Sequence, residues 1–162
     1  MESNPQLVLN PRHTALEYWR PDGQLLWECP LRPIVLMAEY TTSEGPFVDD
    51  YFLVFVSKEN EKYYFATASF YSDGREALID YLSKKWGVRV ELGLANSTGW
   101  KSRVVWPPEI AGRDYFSSSE AQPGGGLEKL RAFAFGPVHD YFPSQEVRGF
   151  LVSCNAAQQN DL

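Results

Sequence analysis

The two histidines are the side chains best suited to acid–base chemistry near neutral pH, because an imidazole titrates there. His139 is followed by Asp140, and a carboxylate can orient an imidazole that acts as a general base. Neighbouring side chains on an extended chain point to opposite faces, however, so Asp140 is badly placed to orient His139. We therefore predict no catalytic residue, and retain Arg113, His139 and Asp140 only as candidate polar contacts to a small ligand.

A zinc site would need three or four nitrogen or sulfur ligands. The chain has two cysteines and two histidines, and all four are isolated from one another in sequence: Cys29, Cys154, His13 and His139. The cysteines form no CxxC pair, so they predict two reduced and mostly buried thiols. We expect neither a zinc site nor a disulfide.

Two other segments have the residue types of a ligand site but lack the other residues that such a site needs. Glu44, Asp49 and Asp50 crowd one loop, as calcium ligands do, but the spacing and the glycine of an EF-hand are missing. The three glycines at 124–126 lack the Lys-Ser/Thr pair that follows a phosphate-binding loop. The sequence therefore predicts no metal ion and no cofactor.

Charge is distributed unevenly along the chain. The 21 acidic and 15 basic residues give a net charge of −6. Residues 38–50 carry four acids and no base, whereas residues 84–113 carry six bases, two acids and three tryptophans. Either pole could meet a partner of opposite charge. The candidate partner-binding residues are Glu44, Asp49 and Asp50 in the acidic stretch and Trp100, Lys101 and Arg103 in the basic one.

A long stretch without hydrophobic periodicity runs over residues 107–126. Loops of this length are uncommon in compact domains and are usually functional or disordered. It contains Tyr115 and Phe116, which either pack back onto the core or are available to contact a ligand or partner. We count both aromatic residues among the partner-binding candidates.

Turn residues and apolar patterns predict mainly antiparallel strands. Pro21, Asp22 and Gly23 separate a hairpin of residues 14–20 and 24–29. Strands follow at 34–42, 50–57 and 62–71, and a second hairpin is expected from residues 88–94 and 102–106. Short connections between successive strands favour antiparallel pairing.

One helix is predicted clearly and a second less so. Residues 74–86 place apolar side chains on one face, with Asp73 and Glu76 outlining a capping box and Gly87 suited to the C-terminal end. Ser144 could cap a short C-terminal helix, although a strand at 146–153 competes with it. Residues 127–135 fit either a helix or a strand.

The 162 residues fit a single α+β domain over 1–154, with about six to seven strands in a twisted sheet and a frayed polar tail over 155–162. The first residues lack the features of a signal peptide, and no apolar run is long enough to span a bilayer, so we expect a cytoplasmic protein. The acidic balance argues against general binding to nucleic acid or anionic membranes.

Three functions remain open at this point. The first is a non-enzymatic module that binds one partner protein, a profile shared by small inhibitory, immunity-type and regulatory proteins. The second is a small-ligand-binding protein or enzyme whose pocket is closed by the 107–126 loop. The third is binding of single-stranded nucleic acid through the basic and aromatic residues of 84–113.

Overall fold

The computed structural model describes residues 4–10, 12, 14–31, 34–42, 49–59, 62–97, 99–117 and 143–159, with side chains of the last range described as far as residue 154. The chain divides into two compact units, Met1–Arg113 and Asp114–Leu162. The predicted boundary of a single domain at residue 154 stays a prediction. No helix among the described residues has the length and apolar character needed to cross a bilayer.

The first sheet is a three-stranded antiparallel meander of β1 (Gln6–Leu9), β2 (Ala15–Trp19) and β3 (Leu25–Pro30). The predicted Pro-Asp-Gly turn joins β2 to β3, with Gly23 at a φ of 84°. The β2–β3 register shifts between Tyr18 and Trp19, which marks a bulge. Strand β1 was not foreseen, because its short apolar run carries little periodicity.

The second sheet has the order β6-β5-β4-β7 and is also antiparallel. Its strands are β4 (Ile34–Thr41), β5 (Tyr51–Glu59), β6 (Lys62–Ser69) and β7 (Lys101–Trp106). The central strands β4 and β5 are buried almost throughout. Lys101 and Arg103 lie on β7, and Asp50 directly precedes β5. Strands β6 and β7 form the two edges of this sheet.

Helix α1 (Arg75–Trp86) has a capping glycine directly before it and another directly after it. The predicted capping box is wrong: the N-cap is Gly74, at a φ of 84°, and no side chain caps the helix. Asp73 instead pairs through its main chain with β1, accepting from the Leu7 amide at 2.8 Å and donating to the Pro5 carbonyl at 2.9 Å. Gly87 ends the helix at a φ of 66°, as predicted.

The predicted strand at 88–94 does not form. Residues 88–94 join no sheet, and β7 pairs with β4 instead of forming a hairpin with them. Val90 is nevertheless buried and belongs to the main core, in which α1 and both sheets pack together. The alternating pattern therefore predicted the burial of Val90 correctly, but the strand that it also predicted does not form.

The second unit contains helix α2 (Gln145–Gln159). The predicted cap is present, since the Val147 amide donates to Ser144 Oγ at 3.2 Å. The competing strand at 146–153 is therefore wrong, and the helix extends over residues 155–159, where a polar tail was predicted. Residues 127–135 lie outside the described residues. Among the described residues, seven strands in two antiparallel sheets and two helices confirm the predicted α+β class.

Candidate functional site

The two predicted charge poles meet at one end of the second sheet. Thr41, the last residue of β4, pairs with Lys101 on one side and with Tyr51 on the other. The Thr42 amide donates to the Asp50 carbonyl at 2.7 Å. Four predicted partner-binding residues therefore lie at this end, which we call the sheet-end cluster: Asp49, Asp50, Trp100 and Lys101. Glu44 lies outside the described residues.

Asp50 is held in place within the sheet-end cluster. The Tyr71 hydroxyl donates to Asp50 Oδ1 at 2.8 Å, and this hydrogen bond raises the pKa of the Tyr71 phenol. The bond keeps the carboxylate at the sheet end while leaving Asp49 exposed beside it.

Arg103 has a different role from the one predicted for it. Its Nε donates to Glu39 Oε1 at 2.9 Å, and its Nη2 also contacts Oε1 and donates to the Glu91 carbonyl at 2.9 Å. Glu39 is fully buried on β4, directly across from Arg103 on β7. Arg103 is thus a partner of a buried carboxylate and not a cation available to an incoming ligand.

Glu39 also receives main-chain and phenolic hydrogen bonds. The Gly93 amide donates to Oε1 at 2.9 Å, and the Tyr51 hydroxyl donates to Oε2. Burial, followed by the hydrogen bond to Glu39, raises the pKa of Tyr51 far above its usual range, so this phenol stays a donor. We call Glu39, Tyr51, Gly93 and Arg103 the carboxylate clasp. In the sequence, the only indication of the carboxylate clasp is one acidic residue within an otherwise apolar predicted strand.

The basic stretch offers less to a nucleic acid than its composition indicated. Trp86 and Trp106 stack on each other, with ring centroids 4.3 Å apart and an interplanar angle of 7°. Both are partly buried against the core. Lys85 Nζ donates to the Leu31 carbonyl at 2.5 Å. These side chains and Arg103 therefore make their contacts within the protein. Single-strand binding would need such rings to stack on bases and such charges to contact phosphates.

The loop residues are only partly described. Tyr115 is buried, its ring contacts Phe116 edge-on at 4.7 Å, and its carbonyl accepts from the Ser144 amide at 2.7 Å. Within the first unit, exposed Arg113 turns back on β7, its carbonyl accepting from the Val104 amide at 2.8 Å. His139, Asp140 and residues 118–126 lie outside the described residues. Where side chains are described, no three histidine, cysteine or acidic residues cluster as metal ligands.

Strand β6 presents an edge that the sequence did not single out. The Thr67 carbonyl accepts from Trp27 Nε1 at 2.9 Å, and the Ser69 amide donates to the Tyr18 hydroxyl at 3.2 Å. Since main-chain groups alternate along an antiparallel strand, residues 63, 65, 67 and 69 direct theirs away from β5. Those of Phe65 form no hydrogen bond to the described residues.

The side chains of this edge are large and apolar. Phe65 is 51% exposed and Tyr64 is 47% exposed, on opposite faces of the strand. The pairing of β5 with β6 runs without a bulge. We call residues 63–67 the edge patch. The other edge differs, because Val104 of β7 bonds through both main-chain groups to Gly112 and Arg113.

A groove runs between α1 and residues 88–95. It consists of two adjoining depressions of about 540 and 410 Å³, which share Ile79, Asp80 and Val90. We call it the α1 groove. Its volume lies in the range of ligand sites. Its lining includes no residue from the described part of the 107–126 loop.

Comparison with protein-family models, with curated proteins and with solved structures finds no match to this chain. Four structural features therefore indicate the function of this protein: the carboxylate clasp, the edge patch, the sheet-end cluster and the α1 groove.

Proposed function

We propose that this protein is a non-enzymatic protein-binding module that accepts an extended strand of its partner on the edge patch. The observation that supports it is the open main chain of Phe65 on a bulge-free edge strand. A strand can add to such an edge through main-chain hydrogen bonds, while side-chain pockets provide specificity. An exposed, regular, hydrophobic edge is otherwise an aggregation hazard that proteins blunt or cover.

The surroundings of the edge patch define where an incoming strand would lie. Trp27 already occupies the Thr67 carbonyl, and Tyr18 already occupies the Ser69 amide. Pairing is therefore centred on Phe65 and is short. Tyr64 and Phe65 contact the added strand from opposite faces, which gives an apolar contact above and below the main-chain bonds.

The other edge strands are less suited to this role. The bulge between β2 and β3 twists the edge of the first sheet, although Leu25 and Leu26 are exposed there. The sheet-end cluster, with acids before β5 and Lys101 on β7 at either side of β4, is the surface that would steer a charged partner. The cytoplasm remains the proposed compartment, where a buried thiol such as that of Cys29 stays reduced.

A proline scan of the edge patch tests this function. In Phe65→Pro the lost amide faces outward, so we expect the fold to survive and strand addition to fail. In Tyr64→Pro the lost amide bonds to β5, so we expect a destabilisation of about 3 kcal/mol. Circular dichroism and chemical denaturation would show which variant stays folded.

Affinity capture from the source cells then uses the folded variant. We expect wild-type protein to retain a stoichiometric partner that Phe65→Pro loses and that the charge reversal Lys101→Glu retains or weakens only in a salt-dependent way. A partner that binds Phe65→Pro as tightly as wild type, or the absence of any stoichiometric partner, would contradict the proposal. Arg103 is unsuitable for this charge reversal because Glu39 depends on it.

A further inference from the structure

We propose that the α1 groove is a separate binding site for an extended peptide that carries one acidic and one basic side chain, spaced about four residues apart. The site does not depend on the edge patch, since it involves different elements. Its floor, its main-chain groups and its charges each indicate the same kind of ligand.

The floor of the groove is apolar. Ile79 of α1 faces Val90 and Leu92 across it, and Val90 is only 7% exposed. Phe70 closes one end, with the Arg75 guanidinium 4.0 Å above its ring centroid. Such a floor suits the small apolar or β-branched side chains of an extended chain.

The wall opposite α1 carries main-chain donors without partners. The amides of Arg89, Glu91 and Leu92 make no hydrogen bond to any described residue. The same segment is fixed from elsewhere, because the Gly93 amide bonds to Glu39 and the Glu91 carbonyl bonds to Arg103. The segment is therefore fixed by the carboxylate clasp while these three amides make no bond to the described residues, and main-chain donors of this kind are what strand addition uses.

The charges of the groove differ between its two ends. Lys84 and Arg89 line one depression, and Glu76 and Asp80 line the other, with Asp80 bordering both. Arg75 offsets these acids only in part: its Nη2 lies 3.6 Å from Glu76 Oε1, and two acids stand against this one base in the lining. Arg89 likewise lies 3.3 Å from Glu91 Oε1, and in both ion pairs the carboxylate is solvent-exposed, so the pairs are weak. A peptide with one charge of each sign complements this arrangement, whereas a uniformly charged chain meets repulsion at one end.

The helix sets the spacing of the ligand charges. Glu76 and Lys84 are eight residues apart on α1, which corresponds to about 12 Å at the helical rise. An extended chain covers about 12 Å in roughly four residues. Side chains at positions i and i+4 of a strand point to the same face, so both can turn toward α1.

The experiment uses a blocked five-residue peptide with a basic first residue, an acidic fifth residue and three β-branched residues between, together with its sequence reversal. Both directions are needed because either strand orientation satisfies the charges. In amide-resolved NMR titrations of the full chain, we expect at least one peptide to shift the amides of Arg89, Glu91 and Leu92. The same peptide with both charges neutralised should bind about tenfold more weakly.

Charge variants keep the proposal falsifiable. Replacing Lys84 and Arg89 together by Glu should weaken the zwitterionic peptide about tenfold and strengthen an all-basic one, whereas Lys62→Glu, outside the groove, should change neither. Phe65→Pro should also leave the titration unchanged, which separates this site from the edge patch. Absence of shifts with both peptides at millimolar concentration, or equal binding by the neutral and charged peptides, would overturn the proposal.

Discussion

Glu39 shows how a single charged residue can organise a region of the fold. A carboxylate is buried at low cost only when charges and donors surround it. Here a guanidinium, a phenol and the Gly93 amide do so, and they come from three segments of the chain. The sequence grouped Glu39 with a surface acidic stretch, because composition cannot tell an exposed acid from one that a distant arginine will neutralise.

Removing the clasp carboxylate should be costly. Glu39→Leu leaves Arg103 beside an apolar wall without its counter-charge, and we expect unfolding to become easier by about 3 kcal/mol. Glu39→Leu combined with Arg103→Leu should recover part of that loss, since no charge is stranded. Urea denaturation of the double-mutant cycle measures both. A single-variant loss below about 1 kcal/mol would place the pair among ordinary surface ion pairs.

Tyr51 should make stability depend on alkaline pH. Its pKa is raised in the folded protein, so the unfolded chain releases the phenolic proton first. The stabilisation is therefore complete below the unfolded pKa of about 10 and declines as pH rises above it. We expect Tyr51→Phe to flatten the fall in unfolding free energy between neutral and strongly alkaline pH. A slope in Tyr51→Phe equal to that of the wild type would contradict this role of Tyr51.

Among the elements, strands and helices with strong local signals were predicted well. The Pro-Asp-Gly turn, the apolar runs of β4 and β5 and the amphipathic pattern of α1 are all local. The wrong predictions arise from distant partners. Residues 88–94 alternate like a strand, but the clasp binds the Gly93 amide and the Glu91 carbonyl, and Asp73 pairs with β1 and does not cap α1. Single-sequence patterns carry no information about such partners.

The two glycines that bound α1 should respond differently to substitution. A Cβ at Gly74 would lie 2.1 Å from the Leu7 carbonyl oxygen, whereas one at Gly87 meets nothing within 4 Å. Both have positive φ, so Gly87→Ala should cost only about 1 kcal/mol of backbone strain. Gly74→Ala should cost at least about 3 kcal/mol, because β1 must move. Thermal denaturation of the two variants compares them, and equal losses would refute the close approach.

For the whole molecule, turn residues and apolar patterns predicted the α+β class, because they depend on the order of elements along the chain. The roles of the candidate site residues stay predictions. The sequence singled out Asp50 and Lys101, and the sheet brings them to one end. It could not single out the edge patch, since the position of β6 in the strand order follows from tertiary pairing and from no local feature.

Cys29 should report on global unfolding. It is 2% exposed in the core, and burial raises the pKa of its thiol, so both access and thiolate formation are suppressed in the folded state. In Cys154→Ser we expect modification of Cys29 by a disulfide reagent to follow the unfolding equilibrium across a urea series. Rapid modification in the absence of denaturant would show that the core opens locally.

The carboxylate clasp also has a consequence for the order in which the chain folds. Its bonds join Glu39 to residues 54 and 64 positions later in the chain. Closing such long loops has a high entropic cost, so these bonds add little until β4 and β7 are already paired. The clasp is thus expected to form after the transition state and to slow unfolding more than it accelerates folding.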